Sequence, residues 1–302
     1  MLMSESFSAA VRFLWSEARL LEQRLFATLF LGEPSAGVVA ALRGYQNDDG
    51  GFGHGLEPDK RCPASLPIDV EIALQAYASA GADDTEMLRR ACDFLGRQSV
   101  GGAVALASNV IEAYPRAEHW SDWTYAPGLN PTAGLAALLH RIGFAHPWRD
   151  EATRYCWRAL ESGDLPDEVH ALAEVLAFLE HAGDAERAEK HAAAVFERLT
   201  ASAMFHLDPD AEGYGLTPLT VAPFADSRWR SLFTPAQIDG HLDHLARAQA
   251  ADGGWQITWE PPSAASRLEW RGIVTLGALR TLTSYGRLAP STDARGDLRT
   301  VR

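Results

Sequence analysis

The chain has 302 residues, 47% of them apolar, enough to bury a sizeable core and to argue against disorder outside the termini. A formal net charge of −13 speaks against nucleic acid as a main partner, because phosphate binding needs clustered Lys and Arg. Cys62, Cys92 and Cys156 are widely spaced, odd in number and without CxxC spacing. They read as reduced thiols of a cytoplasmic protein, with Cys92 and Cys156 as small core residues.

The N-terminal segment MLMSESFSAAVRFLW lacks the basic and continuous apolar regions of a signal peptide, and no apolar run reaches transmembrane length. Residues 5–30 read as one amphipathic helix, with Phe7, Val11, Leu14, Ala18, Leu21 and Leu25 at three- and four-residue steps. Glu33-Pro34-Ser35 breaks it, and a second helix runs to about Gln46 with Val38, Leu42 and Tyr45 on one face. After a Gly-rich loop, a helix starts near Ile68 and ends at Gly81. The next is capped by Asp83 or Asp84, with Glu86 placed for a capping box. Four predicted helices end on glycine, at Gly81, Gly143, Gly183 and Gly286, which suggests equivalent second helices of successive hairpins. Thr234-Pro235-Ala236-Gln237 is a strong helix start. Long inserts fall at 99–128 and 201–233, a place where function is often found.

The most informative feature is an internal repeat. LRGYQNDDGGF at 42–52 aligns without gaps with LARAQAADGGW at 245–255, pairing Gln46 with Gln249 and Phe52 with Trp255; a degraded copy, FLGRQSVGG, lies at 94–102. Glutamine can bond backbone at a helix end, paired glycines permit a tight turn, and the aromatic ring packs beneath the neighbouring helix. These Gln-x-x-x-Gly-x-aromatic segments resemble the Gln-Trp motif of squalene–hopene and oxidosqualene cyclases and the Gly-Gly-Phe repeats of protein prenyltransferase β-subunits. The DGGFGHGLEPD and EWRG segments are similar to a bacterial branch of that superfamily. The resemblance implies an all-α fold, an α/α toroid of five or six helical hairpins. It would form one domain over 1–302, with a disordered tail after about 288. It also implies a small apolar, isoprenoid-like ligand. The protonating DxDD motif, a DDxxD diphosphate–magnesium motif and the zinc set of the prenyltransferases are all absent from the sequence. No cofactor is therefore expected, with magnesium entering only for a diphosphate substrate, and no catalytic residue transfers directly. HExxH and GxSxG are absent too.

Three stretches concentrate chemistry. The first holds His54, Glu57, Asp59, Lys60 and Arg61, followed by Asp69 and Glu71 at a helix start. It reads either as a cap with surface salt bridges or as a site where one buried, protonated carboxyl is a general acid. Asp59 or Asp69 would be the donor, His54 would orient it, and Phe52 would line the ligand space. The second holds Trp259, Arg267, Glu269, Trp270 and Arg271. It reads as a salt bridge locking the last hairpin, or as a charge pair and tryptophans facing a ligand, with Arg271 or Arg61 holding a diphosphate. The third, His119 to Tyr125 with Trp120 and Trp123, suits an apolar wall or simple loop packing equally well. Three functions remain open. One is a terpene cyclase-like or prenyl-substrate enzyme. Another is a non-catalytic binding or scaffold protein. The third is a carbohydrate-active toroid enzyme with Glu57 or Asp59 set against Glu269.

Overall fold

The structure is a computed structural model that describes residues 2–121, 124–163 and 165–289. Trp123 and the tail from residue 290 onward lie outside these. Among the described residues the regular structure is all helical, α-helices with short 3-10 segments at Asn109–Ala113, Glu118–Trp120 and Arg228–Leu232, with only isolated β-bridges besides. In chain order the helices are α1 (Leu2–Glu17), α2 (Leu20–Leu31), α3 (Ala36–Arg43), α4 (Pro67–Ala80), α5 (Thr85–Gln98), α6 (Leu129–Ile142), α7 (Pro147–Ser162), α8 (Val169–His181), α9 (Ala185–Ala201), α10 (Pro218–Val221), α11 (Pro235–Arg247) and α12 (Ala264–Ser284). None is long and apolar enough to cross a membrane.

The single helix expected over 5–30 is two. Arg19 takes an extended conformation (φ −62°, ψ 160°) and starts a new helix. The Gln23 amide donates back to the carbonyls of Ala18 (2.9 Å) and Trp15 (3.4 Å), and a buried Arg19–Glu22 ion pair (2.7 Å) fills the corner. The apolar rhythm runs on through the break, so periodicity alone does not reveal it.

Where the sequence predicts one domain, contacts divide the chain into two compact units, 42–205 and the combination of 1–41 with 206 onward. In the first, α4/α5, α6/α7 and α8/α9 are helical hairpins, and α6 packs against both α4 and α8. The glycine-terminated helices α4, α6 and α8 thus form one layer. Helices α5, α7 and α9 lie outside them, α5 against α7 and α9 against α8. The composition explains the order. Helix α4 is buried nearly all round, down to Asp69 and Glu71, whereas α5 buries one face through Met87, Leu88, Ala91, Cys92 and Leu95. Asp84 caps α5 by accepting from the Met87 N–H, and Thr234 with Gln237 forms the capping box of α11.

The repeated turn is one device used three times. Gly50, Gly102 and Gly253 have φ of 90°, 96° and 93°, and each follows a glutamine by four residues. A β-carbon on them would meet the backbone oxygen of Arg90 at 2.4 Å, Glu151 at 2.6 Å and Ala9 at 2.2 Å. Each turn thus presses its bare backbone on a neighbouring helix, α5, α7 and α1 in turn. Gln46 donates to the carbonyls of Gly50 (2.9 Å) and Met87 (3.1 Å); Gln249 donates to those of Gly253 and Ser6 (both 2.8 Å). The next layer is matched as well. The N–H groups of Val104 and Trp255 both donate to a threonine hydroxyl at 3.0 Å, Thr132 of α6 and Thr275 of α12.

The insert 99–128 is built onto the first loop. Arg61 N–H donates to the Pro115 carbonyl (2.9 Å), Ala117 N–H to Asp59 (2.8 Å) and Ile68 N–H to Leu106 (3.1 Å). A small apolar core of Cys62, Leu66, Leu106, Ala107, Ile111, Ala117 and Trp120 seals the two segments together.

Substitutions at the turn in the unit containing α1 and α11 test its role. Gly253→Ala drives a methyl into the Ala9 carbonyl at a positive φ and is expected to cost roughly 2–5 kcal/mol. Gly32→Ala shares a positive φ (70°) but meets nothing within 4 Å, so about 1–2 kcal/mol is expected. Gln249→Ala strands two carbonyls at a cost of about 1–3 kcal/mol. Urea denaturation of the three variants gives the ranking.

Candidate active site

Two carboxylates, Glu57 of the first loop and Asp69 at the start of α4, converge on one buried ammonium. Lys60 is fully buried, 2.7 Å from Glu57 and 3.4 Å from Asp69, and lies 5.6 Å from the centre of the Trp120 ring. Burial by itself would depress the Lys60 ammonium; the charges of Asp69 and Glu57 outweigh it and hold the group above its ordinary value. Asp69, with no exposed surface, is pushed up to about 6 by burial, against the opposing pull of Lys60 and the Glu57 N–H, which donates to it at 2.7 Å. Asp59 is buried beside His119, whose Nε2 is 3.6 Å away and whose ring is half exposed. Burial, with the charges of His170 and Lys60, lowers His119 below the usual imidazole range.

Next to this, α4 and α8 each carry two polar residues four apart, hence on one face, and α6 sets Gly134 four residues after Asn130, which is itself extended (φ −92°, ψ 115°). The polar pairs are Glu71 and Gln75 on α4 and His170 and Glu174 on α8. The carboxyl groups of Glu71 and Glu174 both reach toward Gly134. A β-carbon there would lie 2.9 Å from Glu71 Oε1 and 3.1 Å from Glu174 Cδ, so the oxygen and the carboxyl carbon are no farther apart than those two distances added together. Glu174 accepts from the Gly134 N–H at 3.3 Å, in the first turn of α6, and Glu71 accepts from Gln75 at 3.2 Å. Burial raises Glu71 to about 7, with Gln75 and His170 opposing. Burial and the charge of Glu71 raise Glu174 well above the carboxylate range. Burial, and for Glu174 the neighbouring charge of Glu71, thus both work against ionising the two groups together.

Around this pair Glu168 caps α8. It accepts from the N–H groups of His170 and Ala171 (both 2.8 Å), from Asn130 Nδ2 (3.0 Å) and from His170 Nδ1 (2.6 Å). Burial would raise Glu168, but these bonds, that of the His170 ring foremost, bring it down to about 2. Carboxyl groups shifted in opposite directions therefore stand near one another, Glu71 and Glu174 raised and Glu168 lowered, a contrast acid–base chemistry uses. Among the described residues no group of three or more His, Cys, Asp or Glu side chains is arranged to hold a metal ion.

Of the residues singled out by sequence, Glu57, Asp59 and Asp69 are brought together. His54 is not with them: it is exposed at φ 60° and bonds Asn47 at 2.8 Å. Phe52 is packed in the α4/α5 core against Ala73, Leu74, Tyr77 and Leu88. Trp120 is buried over Lys60. Glu269, Trp259, Trp270 and Arg271 lie in the other unit. There Trp259 meets Trp270 (5.1 Å between ring centres) and Tyr214 (5.6 Å) edge to face. Arg271 pairs with Asp252 (2.7 and 2.8 Å), not with Glu269; it also donates to the Trp255 carbonyl and lies over Phe13, so it clamps the Gln249 turn. Sequence reading missed Glu168, His170, Glu174 and Gly134. Their signal is the four-residue spacing repeated on glycine-terminated helices.

The chain is similar to a solved structure of a protein from Actinoplanes, with a TM-score of 0.56 and 18% identity over 92% of this chain and 99% of that one. The likeness is one of fold. No protein-family model and no curated protein matches.

Two stability measurements test the electrostatics. Lys60→Met leaves Glu57 and Asp69 buried without their cation and is expected to cost about 3–5 kcal/mol at pH 7 by chemical denaturation. Glu71 is raised in the fold from 4.5 to about 7, so its ionisation removes stability as pH rises through that window. Glu71→Gln escapes this loss. It should be more stable than wild type at pH 8, by about 3 kcal/mol at most, and close to it at pH 5.

Proposed function

We propose that this chain is an acid–base enzyme of the α/α-toroid type that hydrolyses a glycosidic or similar acetal bond, with the Glu71–Glu174 pair as its general acid. The observation that carries the reading is the approach of these two buried carboxyl groups to Gly134, where burial raises both above the usual carboxylate range. The three glutamine–glycine turns support the toroid kinship, since that turn is what the cyclase and prenyltransferase motifs resemble. The buried, unbridged cysteines support a reducing, cytoplasmic setting.

The surroundings favour the substrate class. Gln75, Asn130, Glu168 and His170 lie around the pair, and an isoprenoid hydrocarbon against them would strand polar groups without partners. The excess of carboxylates repels a diphosphate. A neutral or amine-bearing sugar offers hydroxyl groups to the same side chains. Cyclisation of an isoprenoid is the second reading. It is favoured by the turn motif alone and uses the same acid in place of Asp59 or Asp69.

Turnover of a panel of neutral and 2-amino 4-nitrophenyl glycosides, alongside squalene and farnesyl diphosphate, decides between them. Glycoside hydrolysis is expected, with kcat lowered about 10²–10⁴-fold in Glu71→Gln and Glu174→Gln and KM little changed. Turnover of the polyprenes alone moves the assignment to the second reading. Folded wild type inert toward every compound sinks both and leaves a binding or scaffold role.

A further inference from the structure

We infer that His170, oriented by Glu168, is the general base that activates the attacking water opposite the Glu71–Glu174 acid. This rests on the hydrolytic reading above and adds a second catalytic group to it.

The geometry is that of a carboxylate holding an imidazole. Glu168 Oε1 is 2.6 Å from His170 Nδ1, and Glu168 is itself fixed by Asn130 and by the N–H groups of His170 and Ala171. Such an anchor places the ring proton on Nδ1 and turns Nε2 into the basic atom. The His170 side chain is 37% exposed, so water reaches it, while Glu71 is buried. His170 precedes Glu174 by four residues on α8, and side chains so spaced stand roughly 5–6 Å apart at Cβ. The titratable groups facing His170 are Glu168 on its own helix, Glu71 of α4, Glu174 one turn on, and His119 of the insert.

In the step, the water oxygen bonds to the acetal carbon as the bond from that carbon to the leaving oxygen breaks. One water proton passes to His170 Nε2, and a protonated carboxyl of the Glu71–Glu174 pair gives its proton to the leaving oxygen. Solvent then returns a proton from the imidazolium to the carboxyl pair.

The test uses the aryl glycoside that wild type hydrolyses best, as its 4-nitrophenyl and 2,4-dinitrophenyl forms, with and without azide. His170→Asn is expected to lower kcat about 10²–10⁴-fold on both leaving groups and to regain activity with azide, forming a glycosyl azide, because azide needs no base. Glu168→Gln should lower kcat and shift the acidic limb of its pH profile, with KM nearly unchanged. Glu71→Gln should instead be impaired mainly on the poorer leaving group. If His170→Asn and Glu168→Gln keep the wild-type rate and profile while Glu71→Gln does not, this inference falls and the hydrolytic reading stands. A loss in His170→Asn that azide leaves unrelieved makes His170 structural and also overturns the inference. Wild type inert toward every glycoside overturns both together.

Discussion

A glutamine amide bonded across a glycine turn sets the spacing on which the rest of this protein depends. The turn works because Gly50, Gly102 and Gly253 have no side chain to hold them away from the helix beyond, and the backbone oxygens there sit where a β-carbon would be. The following chain is thereby delivered at the same height each time, and the threonines of α6 and α12 receive it in the same way. Helices α4, α6 and α8 pack in one layer on that spacing, so positions four apart on one face their counterparts on the next.

The candidate site uses this alignment to bring ionisable groups together out of water. Two solutions to the cost of burial stand side by side. Around Lys60, opposite charges are paired, and the ammonium stays charged despite full burial. Over Gly134, charge is disfavoured, and burial raises both carboxyls above the usual carboxylate range. The first fixes the loop. The second is the kind of strongly shifted cluster that functional sites tend to hold.

Much of the fold is legible in the sequence because its determinants are local. Glycine ends, the Thr234 cap and the repeated turn each occupy a few consecutive residues, and the structure contains them all. The break at Arg19 escapes because a buried ion pair, not apolar periodicity, makes it. The site is only half legible for the same reason. Glu57, Asp59 and Asp69 sit in one conspicuous loop, whereas Glu71, Gly134, His170 and Glu174 come from three helices. Their partnership depends on which helices are neighbours, a long-range fact. Aromatic and charged richness also misleads in part: Trp120 and Arg271 earn their burial by supporting lysine and a turn, respectively.

The backbone pairing of the insert with the first loop has a consequence for the acids beneath it. Asp59 and Arg61 are held to Ala117 and Pro115 by main-chain bonds, and this closure encircles the whole α4/α5 hairpin. A proteolytic nick between Leu106 and Tyr114 would cut no residue of the carboxyl cluster. It would nonetheless release the strap that keeps solvent from Lys60 and Asp59, so the chemistry of the interior is tied to the integrity of a covalent link on the surface.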